Sequence, residues 1–225
     1  MDLPGKHFLV TGASGAIGSR ITRRLLDAGA TVTASGRSEQ TLAGVDLGSA
    51  HLVASDLTHP AAPADLIAAA KSHTGTLDGV VIASGVVAFG PAAEVDDDTV
   101  DDLLLVDLLA PLRLVRSALT EVESGGVVVS ISGVIAEKPV GGMAAYCAAK
   151  AGISAFVEAA RPEARRRKLR VVDVRPPHTE TGLAGRAIAG TAPTMPDGLD
   201  PDAVADRIVK AIVDDEKDLA STDFS

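Results

Sequence analysis

The chain has 225 residues, 46% hydrophobic and only 2% aromatic, with a net charge of −9. That supplies a large core of Ala, Val, Leu and Ile at a length ordinary for one α/β domain spanning 1–225. The acidic balance and the lack of aromatic stacking platforms argue against nucleic acid or an anionic membrane as the main partner. A single cysteine, Cys147, excludes an internal disulfide and a multi-cysteine zinc site, and the five histidines show no metal-ligand spacing. Residues 1–5 do not read as a signal peptide and no apolar run approaches ~18 residues, so a cytoplasmic location is the default expectation.

An apolar run over 7–11 that ends in glycines predicts a buried strand. A helix over 15–28 follows, with Ile17, Ile21, Leu25 and Leu26 at helical spacing and Gly29 to end it. Further strands are predicted at 31–35, 52–55, 79–83, 127–132 and 169–174. Helices are predicted at 60–73, with Pro63 in the first turn, and at 99–122, 144–167 and 202–213. Pro111 predicts a kink or a break near Ala110, and Pro162 should disturb the later part of the 144–167 helix. The basic run Arg165-Arg166-Arg167-Lys168 suits that helix's C-terminal end. The Gly-, Pro- and Thr-rich stretch 179–199 reads as a mobile loop with a helical piece at 183–189. Strands alternating with helices imply a doubly wound, mostly parallel, Rossmann-like sheet with helices on both faces. The near-continuous Val/Ile runs fit strands buried on both sides.

Between the first strand and the first helix lies Thr11-Gly12-Ala13-Ser14-Gly15-Ala16-Ile17-Gly18. Small residues there let backbone approach a pyrophosphate, and the helix N-terminus supplies free N–H groups and a positive dipole end. The glycine spacing is not literally G-x-G-x-x-G, and a simple turn with an N-cap is the plainer alternative. After the second strand comes Ser35-Gly36-Arg37-Ser38, with no acid until Glu39. An acid there would bind ribose hydroxyls and repel a 2′-phosphate, whereas Arg37 can grip one bidentately. This favours NADP(H) over NAD(H), unless Arg37 is a surface arginine in a turn.

Tyr146 is the only tyrosine, and Lys150 lies four residues on in an Ala-rich helical run. Their Cβ atoms should be ~5–6 Å apart on one face. An ammonium beside a phenol favours the phenolate, lowering its pKa from ~10 toward neutrality, and such a tyrosine can exchange a proton with a substrate oxygen. Alone, the pair also fits an amphipathic helix with a packing tyrosine and a solvated lysine.

Together these pieces resemble the short-chain dehydrogenase/reductase family over roughly 6–213. The resemblance rests on Thr11-Gly12…Gly18, Asp56-Leu57, Tyr146…Lys150 and Arg175-Pro176-Pro177-His178-Thr179-Glu180-Thr181. It implies a hydride-transferring oxidoreductase with Tyr146 as acid/base and Lys150 as activator and ribose ligand. It further implies adenine contacts at Asp56 and Leu57, nucleotide contacts at Ala83, Ser84 and Gly85, and nicotinamide-side contacts at Pro176, Thr179 and Thr181. The phosphates would rest on Gly12, Ser14, Gly15, Ala16, Ile17 and Gly18.

Four positions depart from the family pattern. Ile82-Ala83-Ser84-Gly85 replaces Asn-Asn-Ala-Gly, and Asp107 stands where an asparagine relays protons through water. Pro177 replaces a glycine, and Gly133 occupies the place of the serine that binds the substrate oxygen. Ser132 next door can take that serine's role or be a strand-end residue bonded to backbone. The departures keep open a non-redox, regulatory nucleotide binder, and an isomerase or dehydratase using Tyr146 as base. The substrate pocket is expected from 86–95, 134–143 and 179–199, mostly small and apolar, with Glu94, Glu137, Lys138, His178, Glu180 and Arg186 as exceptions. That composition suits a small organic carbonyl or alcohol. Leucine beyond one helical face in 103–114 suggests a partner helix, hence a homodimer or homotetramer. Cys147 reads as a small packing residue.

Overall fold

A computed structural model describes residues 1–224. Six strands, β1 (His7–Thr11), β2 (Thr31–Gly36), β3 (His51–Ala54), β4 (Gly79–Ile82), β5 (Val127–Ile131) and β6 (Arg170–Val174), form one all-parallel sheet. Their order is β3-β2-β1-β4-β5-β6. The helices are α1 (Ala16–Asp27), α2 (Glu39–Ala43), α3 (Ala62–Thr74), α4 (Asp97–Leu104), α5 (Ala110–Glu121), α6 (Ala144–Arg166) and α7 (Pro201–Val213). The strand order reverses direction between β1 and β4, which opens a crevice beyond their carboxyl ends.

Alternation along the strands divides the core between the two faces. Phe8 and Val10 face one side with Ile21 and Leu25 of α1 and Val204 and Ile208 of α7. Leu9, Val80 and Ile82 face the other, against Ile67 of α3, Leu114 and Val115 of α5, and Ile153 and Val157 of α6. Each such fully buried Val, Leu or Ile contributes ~1.5–3 kcal/mol.

Pro111 interrupts its α-helix just before Ala110, whereas Pro162 does not break the helix that holds it. Pro111 has no N–H for the Asp107 carbonyl four residues back, and the chain absorbs this in a π-helical turn, Leu105–Leu109, that joins α4 to α5. There the Ala110 N–H bonds the Leu105 carbonyl, five residues back. Pro162 sits inside a continuous α6, held by burial of Val157, Ala160 and Ala164 on either side of it. Three short elements carried no usable signal in the sequence: α2, opened by a Ser38/Thr41 capping box, and 3-10 turns at Val134–Ala136 and Ser221–Phe224. In the 179–199 stretch only Ala184–Arg186 is helical, as a single 3-10 turn.

Past β6, Leu219 makes one parallel bridge to Val174. Its N–H bonds the Asp173 carbonyl at 3.0 Å and its carbonyl takes the Arg175 N–H at 2.9 Å. Among the described residues no helix is long and apolar enough to cross a membrane.

Candidate active site

The β1–α1 turn is glycine because backbone fills the space where side chains would be. Gly12 has φ +65, and a Cβ there would stand 2.6 Å from the Ala83 carbonyl group and the Ser84 nitrogen. The approach follows from register: Thr11 lies beside Ile82, and the Ala83 N–H bonds the Thr11 carbonyl at 3.2 Å. A Cβ on Gly18 would run into the Gly12 carbonyl. Gly15 is the extended N-cap of α1, with its own N–H on the Gly12 carbonyl at 2.9 Å. The first-turn amides of Ala16, Ile17 and Gly18 have no acceptor one turn back in the helix, so they face the crevice as an anion cradle.

Ser14 reaches over the end of β2, its Oγ 3.3 Å from where a Gly36 side chain would begin. Beside it Arg37 is exposed, with no hydrogen bond or ion pair among the described residues. Asp56 Oδ1 accepts from the Thr58 N–H at 3.1 Å and its hydroxyl at 2.8 Å. These bonds, the amide foremost, hold its carboxyl below the usual carboxylate range, with a smaller pull from Arg37. Leu57 packs against the core on the α3 side. Ala83, Ser84 and Gly85 leave β4 along the crevice floor, Ser84 Oγ 3.4 Å from Thr11 Oγ1.

Tyr146 and Lys150 occupy the first two turns of α6, with Nζ 5.7 Å from the tyrosine ring centre. Lys150 is buried, its Nζ 2.9 Å from Asp107 Oδ1 and donating to the Ile131 carbonyl at 3.3 Å. Asp107 sits in the π turn with no exposed surface, and its Oδ2 takes the Val86 N–H at 3.4 Å. Burial pushes the Asp107 carboxyl upward against the pull of Lys150. Burial also works to lower Lys150, but Asp107 and Tyr146 outweigh it and hold the ammonium above its ordinary value.

Tyr146 corrects a simple reading of the pair. Part of its surface is open to the crevice, yet desolvation by the dense surroundings is the largest influence and pushes the phenol above its ordinary value. Lys150 opposes this without reversing it, and Asp107 adds to the rise. The lysine alone does not bring the phenol toward neutrality.

Ser132 is a second correction. Its hydroxyl is buried and donates to Asp173 Oδ1 at 2.5 Å, which withdraws it from a substrate oxygen. Asp173 also takes Ser154 Oγ at 2.6 Å and Arg175 Nη1 at 2.7 Å. Arg175 bonds Glu137 at 2.5 Å and Asp218 as well, and Ser221 closes the cluster on Glu137 at 2.6 Å. Glu137 is therefore a strut and not a pocket residue. Gly133 has φ +82 with open space where a Cβ would project, so backbone conformation, not crowding, selects glycine there. The one sequence signal for this cluster was an acid, Asp173, inside the apolar run of β6.

The Arg175–Thr181 segment bends back on itself. Pro176 accepts the Val134 N–H at 2.9 Å, Thr179 Oγ1 donates to the Pro177 carbonyl at 2.9 Å, and Thr181 Oγ1 accepts the Leu183 N–H at 3.2 Å. Thr179 also bridges Leu199, and His178 Nε2 lies 3.3 Å from Glu180. The other wall is tied across the cleft: Ile188 N–H bonds Val87, Phe89 N–H bonds Ala189 and Gly90 N–H bonds Gly142.

Comparison with known proteins gives the family and supports the fold. A family profile described as short chain dehydrogenase matches residues 6–191. A Mycobacterium tuberculosis hexahydro-indene-carboxyl-CoA reductase is 33% identical over 77% of this chain and 71% of its own length. A short-chain dehydrogenase from Streptomyces avermitilis has a similar structure, with TM-score 0.82 and 26% identity over 98% of this chain and 91% of that one. A Burkholderia cenocepacia short chain dehydrogenase solved in complex with NADP gives TM-score 0.82 at 22% identity over 98% and 89% of the two chains. With its all-parallel sheet, glycine turn and Tyr146/Lys150 helix, this chain belongs to the short-chain dehydrogenase family.

Proposed function

We propose that this chain is an NADP(H)-dependent oxidoreductase acting on a small organic carbonyl or alcohol, with Tyr146 exchanging the proton at the substrate oxygen. The observation that carries the reading is the loop after β4, where Gly12 of the β1–α1 turn packs on Ala83 and Ser84 and Gly85 packs against Asp107 and Lys150.

The residues fit a dinucleotide. The Ser14 to Gly18 backbone would hold the pyrophosphate, Ser14 and the unpaired Arg37 a 2′-phosphate, and Asp56 and Leu57 the adenine. Ala83, Ser84 and Gly85 would line the middle of the molecule, with Lys150, Pro176, Thr179 and Thr181 on the nicotinamide side. When bound, the nicotinamide supplies or accepts the hydride. The absence of an acid at the end of β2 supports the phosphorylated form, and the NADP complex of the Burkholderia relative is consistent with it. Lys150 would help stabilise the phenolate left when Tyr146 gives up its proton, and its 2.9 Å ion pair with Asp107 would hold that lysine in position.

Titration with NADPH and NADH, then a carbonyl panel, tests the proposal. Tyr146→Phe should abolish turnover while leaving nucleotide affinity intact; full activity in that variant would sink the mechanism. The engaged Ser132 hydroxyl and the glycine at 133 favour one alternative, a nucleotide binder without redox turnover. Tight NADPH binding with no product across the panel would support it, and product without net cofactor consumption would point to an isomerase or dehydratase. The part-exposed Leu105, Leu109 and Leu112 support pairing of this helix with a second copy, which solution mass would test.

A further inference from the structure

Lys150 Nζ donates to the Ile131 carbonyl at 3.3 Å and makes an ion pair with Asp107 Oδ1 at 2.9 Å. The loop after β4 is shaped around the ion pair: a Cβ on Gly85 would stand 2.8 Å from Asp107 Oδ1 and 3.3 Å from Lys150 Nζ. The groups that bear on Lys150 come from four elements. Asp107 faces it from the π turn, Ile131 from β5, Tyr146 from its own helix, and Asp173 acts from β6. Asp173 is matched by Arg175 at 2.7 Å. Cys147 follows Tyr146 in the chain and adds a thiol beside the phenol. Among the described residues Asp107 is thus the carboxylate in direct contact with the ammonium.

A lysine ionises a neighbouring phenol through its net positive field. A carboxylate in contact with the ammonium turns that charge into a dipole, whose field at the phenol is far weaker. We propose that Asp107 is an internal counter-ion that offsets part of the pull of Lys150 on Tyr146 and so favours carbonyl reduction over alcohol oxidation at this site. The proposal rests on Tyr146 being the acid/base of the oxidoreductase. In that direction the Tyr146 O–H bond breaks as a new O–H bond forms on the substrate oxygen. The carbonyl carbon gains its hydride, with both electrons, from the reduced dinucleotide, and solvent returns a proton to the phenolate. Asp107 touches none of the reacting atoms, so its role is positioning and charge.

The chain carries one tyrosine and no tryptophan, so phenolate absorbance in a pH titration of the whole protein reads Tyr146 alone. In the unsubstituted protein the midpoint should lie at or above the ordinary tyrosine value of ~10; a midpoint below ~8 overturns the proposal with no variant needed. Asp107→Asn should lower the midpoint by about one pH unit, ~10-fold more phenolate at a given pH. The alkaline limb of alcohol oxidation should fall by the same amount, while Asp107→Glu retains the original midpoint. Equal midpoints in folded Asp107→Asn and unsubstituted protein would overturn the counter-ion with activity intact. No turnover on any carbonyl, with the titration as expected, would instead count against the oxidoreductase reading and leave the counter-ion standing.

Discussion

Replacing Ser132 with alanine separates a structural hydroxyl from a catalytic one. The hydroxyl is fully enclosed and donates to Asp173 at 2.5 Å. A hydrogen bond to a charged group contributes ~1.5–3 kcal/mol, and losing it leaves the acceptor under-satisfied in a medium that water does not reach. Asp173 keeps Ser154 at 2.6 Å and Arg175 at 2.7 Å, which limits the damage and places Ser132→Ala at the lower end, about 1.5–2 kcal/mol. For a chain of this size that lowers Tm by roughly 3–8 °C. Urea unfolding should show an earlier midpoint at constant m-value, and pairing the change with Asp173→Asn in a double-mutant cycle should give a coupling of ~0.5–3 kcal/mol. The kcat for carbonyl reduction should stay within about threefold, since the hydroxyl is not offered to the substrate. Unchanged stability with a ~10²–10³ fall in kcat, the size of a lost oxyanion-hole donor, would refute the reasoning.

Three further outcomes follow from the same geometry. Gly12→Ala forces a side chain into φ +65, costing ~1–2 kcal/mol, and drives its Cβ to 2.6 Å from Ala83. NADPH affinity measured by titration should be lost with much of the stability, and a variant that binds normally would contradict the close-packed turn. Arg37→Ala should weaken NADPH binding ~10–100-fold, the worth of ~1.5–3 kcal/mol to a charged phosphate, and leave NADH nearly unchanged; equal losses for both would remove Arg37 from the 2′-phosphate. His7 is buried, with Nδ1 on the Thr76 carbonyl at 2.8 Å and Nε2 on Thr33 Oγ1 at 2.9 Å. Burial depresses its pKa below 6.5, so between its folded and unfolded pKa the unfolded chain binds more protons. Stability should therefore be full above pH ~6.5 and decline as pH falls below it, a decline that His7→Gln should flatten in urea titrations; an identical slope in the variant would acquit His7.

What could be read from the residues were the features set by local pattern. β1, β4 and β5 are mostly apolar runs because a parallel sheet buries both faces, and the glycine turn and Tyr146/Lys150 depend on spacing within one element. Pro111 was legible as an interruption near Ala110, where the π turn re-pairs the backbone, whereas Pro162 misled because buried neighbours carry α6 through it. The polar cluster around Arg175 was out of reach for a different reason. Its partners Glu137, Asp173 and Asp218 come from three separate segments, and no spacing rule links them. The Asp107–Lys150 pair was hidden in the same way, because the two residues come from separate helices.

The single rung between Leu219 and Val174 has a consequence for handling the protein. β6 carries Val171, Val172 and Val174, and among the described residues that rung covers its outer margin near the carboxyl end. Cleavage after Glu216 would bare the Arg175 amide and the Asp173 carbonyl on a valine-rich strand, a template on which a second molecule can stack. Loss of Leu219 through such a cut should thus announce itself as light scattering on storage before any catalytic property changes. A bulky fusion in 217–224 carries the same hazard.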